Sequence, residues 1–171
     1  MEPPLAFNNE ITQAIAEFVR KIGLPVRAAR LDHPTFLPGI EVESGAILID
    51  ESRLTYPGDI LHEAGHLAVA PATLRPTLSG EVDLPGFNAD VVEAFAIGWS
   101  YAAIVSLGLD PGIVFHRDGY KGQAEALRNN YELGIYIGAN GLVDMGLTRV
   151  GTNAAADGVA PYPHMIKWLR D

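Results

Sequence analysis

Apolar residues first recur as Ile11, Ala14, Ile15, Phe18, Val19 and Ile22, the three-and-four spacing of one helix face. Asn8 or Asn9 stands where an N-cap belongs, Lys21 suits the negative end of the helix dipole, and Gly23 and Pro25 close the segment. From residue 25 to 53 the pattern shortens and is broken by Pro34, Pro38, Gly39 and Gly45, which predicts strands over 26–31, 40–43 and 46–50. Ile40-Glu41-Val42-Glu43 alternates strictly, as a strand with one wet face does. Ser44-Gly45 reads as a hairpin turn into Ala46-Ile47-Leu48-Ile49, a run apolar enough for a more buried strand.

Helical spacing returns near Thr55, with Pro57 in the first turn and Asp59 at the positive end of the dipole. This second helix is expected to run to about Ala70, where Pro71 stops it. Residues 71–87 hold three prolines and two glycines and read as a loop. Asn88 is placed to cap a third helix over 89–107, ended by Gly108. A further helical stretch is expected over 122–137, with Gly134, Gly138, Gly141 and Gly146 disturbing its tail. Residues 151–163 are small and predict a flexible stretch, followed by an amphipathic end with Met165, Ile166, Trp168 and Leu169. No repeat, low-complexity tract or linker divides the chain, so residues 1–171 predict one domain of α+β class, a small mixed or antiparallel sheet against helices.

Charge narrows the function classes. Twelve basic against 21 acidic side chains give a net charge of −9. A nucleic-acid binder needs a basic footprint, and so does a protein that docks on anionic lipid; neither partner is expected. The start, Met1-Glu2-Pro3-Pro4, lacks the basic and apolar segments of a signal peptide. No run reaches the roughly 18–20 uninterrupted apolar residues of a membrane span. The nearest, 94–109, carries Trp99, Ser100, Tyr101 and Ser106. The expectation is a soluble, cytoplasmic protein. The absence of cysteine removes disulfides, thiol nucleophiles and thiolate metal sites, so any metal is left to His, Asp and Glu.

One pattern carries chemistry. Within the second predicted helix stands His62-Glu63-Ala64-Gly65-His66, an H-E-x-x-H sequence. Positions four apart share a helix face, so both imidazoles can address one ion. Glu63 lies about 100° round the helix and can reach a water activated by that ion without being a ligand. Independent placement of the five His and 11 Glu would produce this pattern in about 0.01 of such chains. Ile60, Leu61, Leu67, Ala68 and Val69 would seat the helix in the core, and Gly65 allows close backbone approach. A catalytic zinc needs a third protein ligand and an open position. The sequence after His66 is Leu-Ala-Val-Ala-Pro, without the histidine of the extended metzincin motif. Glu93 and Asp90 on the third predicted helix are the candidates. Glu93 precedes the apolar run Ala94-Phe95-Ala96, whereas Asp90 suits a first-turn dipole role.

These residues carry a resemblance. The matching text is Ile60-Leu61-His62-Glu63-Ala64-Gly65-His66-Leu67-Ala68, followed by Glu93-Ala94-Phe95-Ala96. The chain resembles the zincin-like peptidases with a downstream Glu ligand, the gluzincin arrangement, and is most similar to the compact ImmA/IrrE-type metallopeptidases over roughly residues 8–107. The resemblance implies a zincin-like fold, Zn2+ held by His62, His66 and Glu93, Glu63 as general base, and a peptide or protein substrate.

Peptide hydrolysis also needs a donor for the oxyanion of the tetrahedral intermediate. His116, Arg117, Tyr131, Tyr136 and His164 are the polar groups considered for that role or for substrate contact, although no spacing links them to the metal helix. His33, before Pro34, reads as a loop residue, and Trp99 and Tyr101 as core. The competing expectation is a non-catalytic, metal-stabilised protein-interaction domain.

Overall fold

The computed structural model describes residues 6–171; the start at 1–4, which lacks signal-peptide features by sequence, lies outside them. Helix α1, Glu10–Lys21, begins at Asn9, whose side chain accepts from the backbone N–H groups of Ile11 and Thr12. Its inner face buries Ile15, Ala16 and Val19. Strands β1 (Val26–Ala28), β2 (Ile40–Glu43) and β3 (Ala46–Ile49) form a mixed sheet in the order β1-β3-β2. β1 runs parallel to β3, with Val26 opposite Ile47, and β2 runs antiparallel to it, with Ile40 opposite Ile49. The hairpin lies where the pattern predicts it: Ser44 and Gly45 sit at φ 49° and 76°, as a two-residue turn of primed type requires. β1 ends earlier than residue 31 because the Leu31 N–H is taken by the Asp50 carboxylate at 2.9 Å instead of a neighbouring strand.

Helix α2 spans Gly58–Val69, starting three residues after the predicted Thr55. Pro57 is the capping residue, and the residue before a proline is biased away from helical geometry, which keeps Tyr56 out of the helix. α2 packs most extensively against α3, Ala89–Ser106, which Asn88 caps through the Asp90 N–H. By length and composition α3 is apolar enough to cross a membrane, yet ten of its 18 residues, Trp99 and Tyr101 among them, are buried within the protein.

The expected helix over 122–137 is the shorter α4 (Ala124–Glu132), ended before Gly134, and a separate helix α5 (Ala139–Asp144) follows Gly138, both glycines at positive φ. A 3-10 turn, Tyr120–Gly122, leads into α4. The stretch expected to be flexible contains helix α6, Gly151–Asp157, because its Ala154-Ala155-Ala156 run has high helix propensity. Arg149 pairs with Asp157 at its far end (2.6 Å). The chain end is not helical: Met165 bridges to Thr148, and the Trp168 carbonyl accepts from Trp99 Nε1 at 2.9 Å. Among the described residues the architecture is six α-helices and one three-stranded mixed sheet, an α+β arrangement.

Candidate metal centre

Helix α2 is two-faced, and its faces set the site. Ile60, Leu61, Ala64, Leu67 and Ala68 are fully buried, so His62, Glu63 and His66 turn to the other side, into a cleft. Gly65 lets α3 approach: a Cβ there would stand 2.8 Å from the Ala96 carbonyl oxygen. Ser100 fixes the crossing, its hydroxyl lying 2.7 Å from the Ala96 carbonyl and 3.1 Å from that of Leu61 on α2. Beyond the far end of α2, the Arg75 guanidinium donates to the carbonyls of Leu67 and Ala70, groups a helix end leaves unsatisfied, and to that of Arg170.

This packing brings three side chains together. His66 Nε2 lies 3.2 Å from His62 Nε2 and 3.0 Å from Glu93 Oε2, and His62 Nε2 lies 3.4 Å from Glu93 Oε1. Their ligand atoms all fall within 4.8 Å of one another, and the group can hold a metal ion. The spacing is a test of fit. Tetrahedral bonds of zinc length would set neighbouring ligand atoms about 3.3 Å apart, close to what these three show. Two nitrogens and a carboxylate, without sulfur, form a donor set suited to a catalytic zinc. Nδ1 of both imidazoles is buried without a hydrogen-bond partner among the described residues, so the rings are oriented by packing and by their Nε2 contacts with Glu93 and each other.

The electrostatics without an ion show what holds the cluster. Burial works to raise the Glu93 carboxyl, but hydrogen bonds and charge from His62 and His66 outweigh it and hold the group well below the usual carboxylate range. Burial disfavours the His62 imidazolium, yet the Glu93 bond and the charges of Glu93, Glu63 and Asp59 outweigh that and raise it. Glu63 is raised above an ordinary carboxyl, chiefly by burial, with the two imidazoles working against the shift.

The cleft beside the cluster has a volume of about 840 Å³. Glu63 lines it, as do Phe36, Leu84, Phe87 and Ile97, and three acidic side chains, Glu81, Asp83 and Asp90. Asp90 therefore lies in the same cleft but outside the three-residue group, at the start of α3 as its dipole role predicts.

The polar groups weighed for the oxyanion go elsewhere. His116 Nε2 is 2.7 Å from Asp59 Oδ1, nearly buried and stacked on Tyr56 at 3.7 Å, so it braces the start of α2 from behind. The Tyr131 hydroxyl donates to the Ile137 carbonyl inside the aromatic core. His164 is exposed on the C-terminal segment, and Arg117 is exposed beside Asp118. Tyr136 packs edge-on against Tyr162 (4.7 Å). None of these five lines the cleft. His33 is a loop residue, bonded to Asp32 and Glu41.

Tyr120 does line it, and spacing alone did not single it out. Its ring stands edge-on to His62, centroids 5.5 Å apart at 81°, and rests against Phe115 at 5.6 Å. Burial and the nearby carboxylates of Asp59 and Glu93 push its hydroxyl well above the ordinary tyrosine value. Tyr120 and Lys121 both adopt left-handed backbone, φ 56° and 53°, at a cost of about 1–2 kcal/mol each. The one sequence signal for it is Gly119-Tyr120-Lys121-Gly122, an aromatic residue bracketed by glycines in a loop. No family model, no curated protein and no solved structure matches this chain.

Proposed function

We propose that the protein is a zinc-dependent peptidase of zincin-like fold, in which His62, His66 and Glu93 hold the ion and Glu63 is the general base. The observation that carries this reading is the convergence of His62 Nε2, His66 Nε2 and the Glu93 carboxylate beside Glu63 in one cleft. Zinc held there supplies Lewis acidity, lowering the pKa of a water towards neutrality and polarising a carbonyl. Glu63 takes the proton of the attacking water. As the water oxygen bonds to the carbonyl carbon, the C=O electron pair moves onto the carbonyl oxygen. Glu63 then passes the proton to the amide nitrogen as the C–N bond breaks, so a carboxylic acid and an amine leave and the Glu63 carboxylate is restored. A carboxyl raised by burial suits both halves of that transfer, because its affinity for the proton is closer to that of its partners.

The cleft walls fit a peptide better than a small polar molecule. Phe36, Leu84, Phe87 and Ile97 offer apolar contact, and Glu81, Asp83 and Asp90 disfavour anionic substrates. The resemblance to the ImmA/IrrE-type metallopeptidases supports the same reading. In the deciding experiment, Glu63→Gln retains one zinc per chain while hydrolysis of an unfolded protein substrate falls by about 10²–10⁴. If wild type and Glu63→Gln bind zinc and are equally inert, the metal stabilises an interaction domain and the peptidase reading fails.

A further inference from the structure

The cluster and Glu63 provide for the water and its proton, but they do not name the protein group that meets the negative charge on the substrate's carbonyl oxygen. We propose that the Tyr120 hydroxyl is that group: it donates a hydrogen bond to the oxyanion of the tetrahedral intermediate, an assignment that rests on the peptidase reading.

Tyr120 is the aromatic residue that touches the cluster itself, its ring edge-on to His62, and it lines the cleft that holds Glu63. Its hydroxyl has no hydrogen-bond partner among the described residues, whereas those of Tyr56, Tyr131 and Tyr162 are committed to Asp118, Ile137 and Gly98. A phenol keeps its proton at neutral pH, its ordinary pKa being about 10. It therefore donates a hydrogen bond and is neither consumed nor charged in the reaction.

The loop around it is built to hold it still. Phe115, buried, packs against the Tyr120 ring, and His116 next to it is clamped to Asp59 on α2 at 2.7 Å. Asp59 stands three residues before His62 on the same helix, so α2 carries two of the ion's ligands and the anchor of this loop. A donor fixed before the charge develops is what oxyanion stabilisation requires. Lys121 and Gln123 also line the cleft, but both are exposed, and neither packs on the ion's ligands as Tyr120 does.

Tyr120→Phe tests this, since it keeps the ring on His62 and removes the hydroxyl alone. The zinc-loaded protein is titrated calorimetrically with the tightest member of a phosphinic peptide library, whose tetrahedral anion imitates the intermediate. A mercaptoacyl peptide of the same sequence, which offers sulfur and no oxyanion, is the control. Expected for the variant are one zinc per chain, phosphinate affinity at least 30-fold weaker and mercaptoacyl affinity unchanged within threefold. On any peptide that wild type cleaves with dependence on Glu63, kcat falls about 100-fold and KM moves less than threefold. Equal weakening of both probes, loss of zinc, or no weakening of either overturns the assignment while the peptidase reading stands. If wild-type protein binds no library member and shows no Glu63-dependent hydrolysis, the peptidase reading has failed and Tyr120 with it.

Discussion

At the scale of residues, the two imidazole nitrogens 3.2 Å apart cannot both turn N–H groups toward each other; at least one must present a lone pair. A proton and a metal ion therefore compete for the same atoms. In the metal-free protein His62 is raised above 6.5, so its contribution to stability is complete below that pH and is lost as pH rises through its folded-state value. Glu93 is lowered below 4.5, so its contribution is present above 4.5 and is lost as pH falls. Together they favour the metal-free fold most between about 4.5 and 6.5. Zinc affinity instead rises with pH through the His62 titration, where the metal-free contribution of His62 is being lost, because each displaced proton costs roughly tenfold per pH unit on its acid side. Competition titrations against a zinc chelator between pH 5.5 and 8 check this, and a flat profile would contradict it. His62, Glu63 and His66 were legible from sequence because a single helix sets their relation. Glu93 was legible only as one of two candidates, since it needs the crossing of α2 and α3 to arrive. Tyr120 was not, because its position depends on a loop path that no periodicity encodes.

At the scale of elements, α2 is held at both ends by side chains from elsewhere. His116 braces the first turn through Asp59, and Arg75 caps the last carbonyls. Arg75→Ala leaves those carbonyls without their charged donor and is expected to cost about 2 kcal/mol, read as a lower urea midpoint at unchanged slope. The first helix, the hairpin and α3 follow their periodicity closely, since caps and turn residues act over four or five positions. α2 starts late because Pro57 biases Tyr56 away from helical geometry and Tyr56 stacks on His116, a partner distant in sequence. After residue 120 the chain is divided at Gly134 and Gly138, and α5 then packs on α3, a placement that the glycines alone do not specify.

At the scale of the whole molecule, an ion at the cluster would join α2 to α3, the pair whose contact dominates the core. Metal binding is then folding energy. At zinc concentrations 100 times the dissociation constant the gain is about 2.7 kcal/mol. For a chain of 171 residues this corresponds to a rise in Tm of about 5–10 °C. Scanning calorimetry with zinc and then with chelator measures it, and His62→Ala should abolish the difference. No shift in the wild-type protein would count against a metal centre.

The Arg75 guanidinium also grips the Arg170 carbonyl, 95 positions along the chain, and Arg170 Nη1 returns to the Val69 carbonyl, 101 positions back. These are among the most distant contacts in the molecule, and they converge on the end of the helix that carries His66. Loop-closure entropy makes such contacts slow to form. The last turn of the H-E-x-x-H helix is thus tied to the C-terminal segment as well as to α3. On the proposed peptidase reading the tie has a protective sense: a chain without that segment in place would carry its blade loose in the handle.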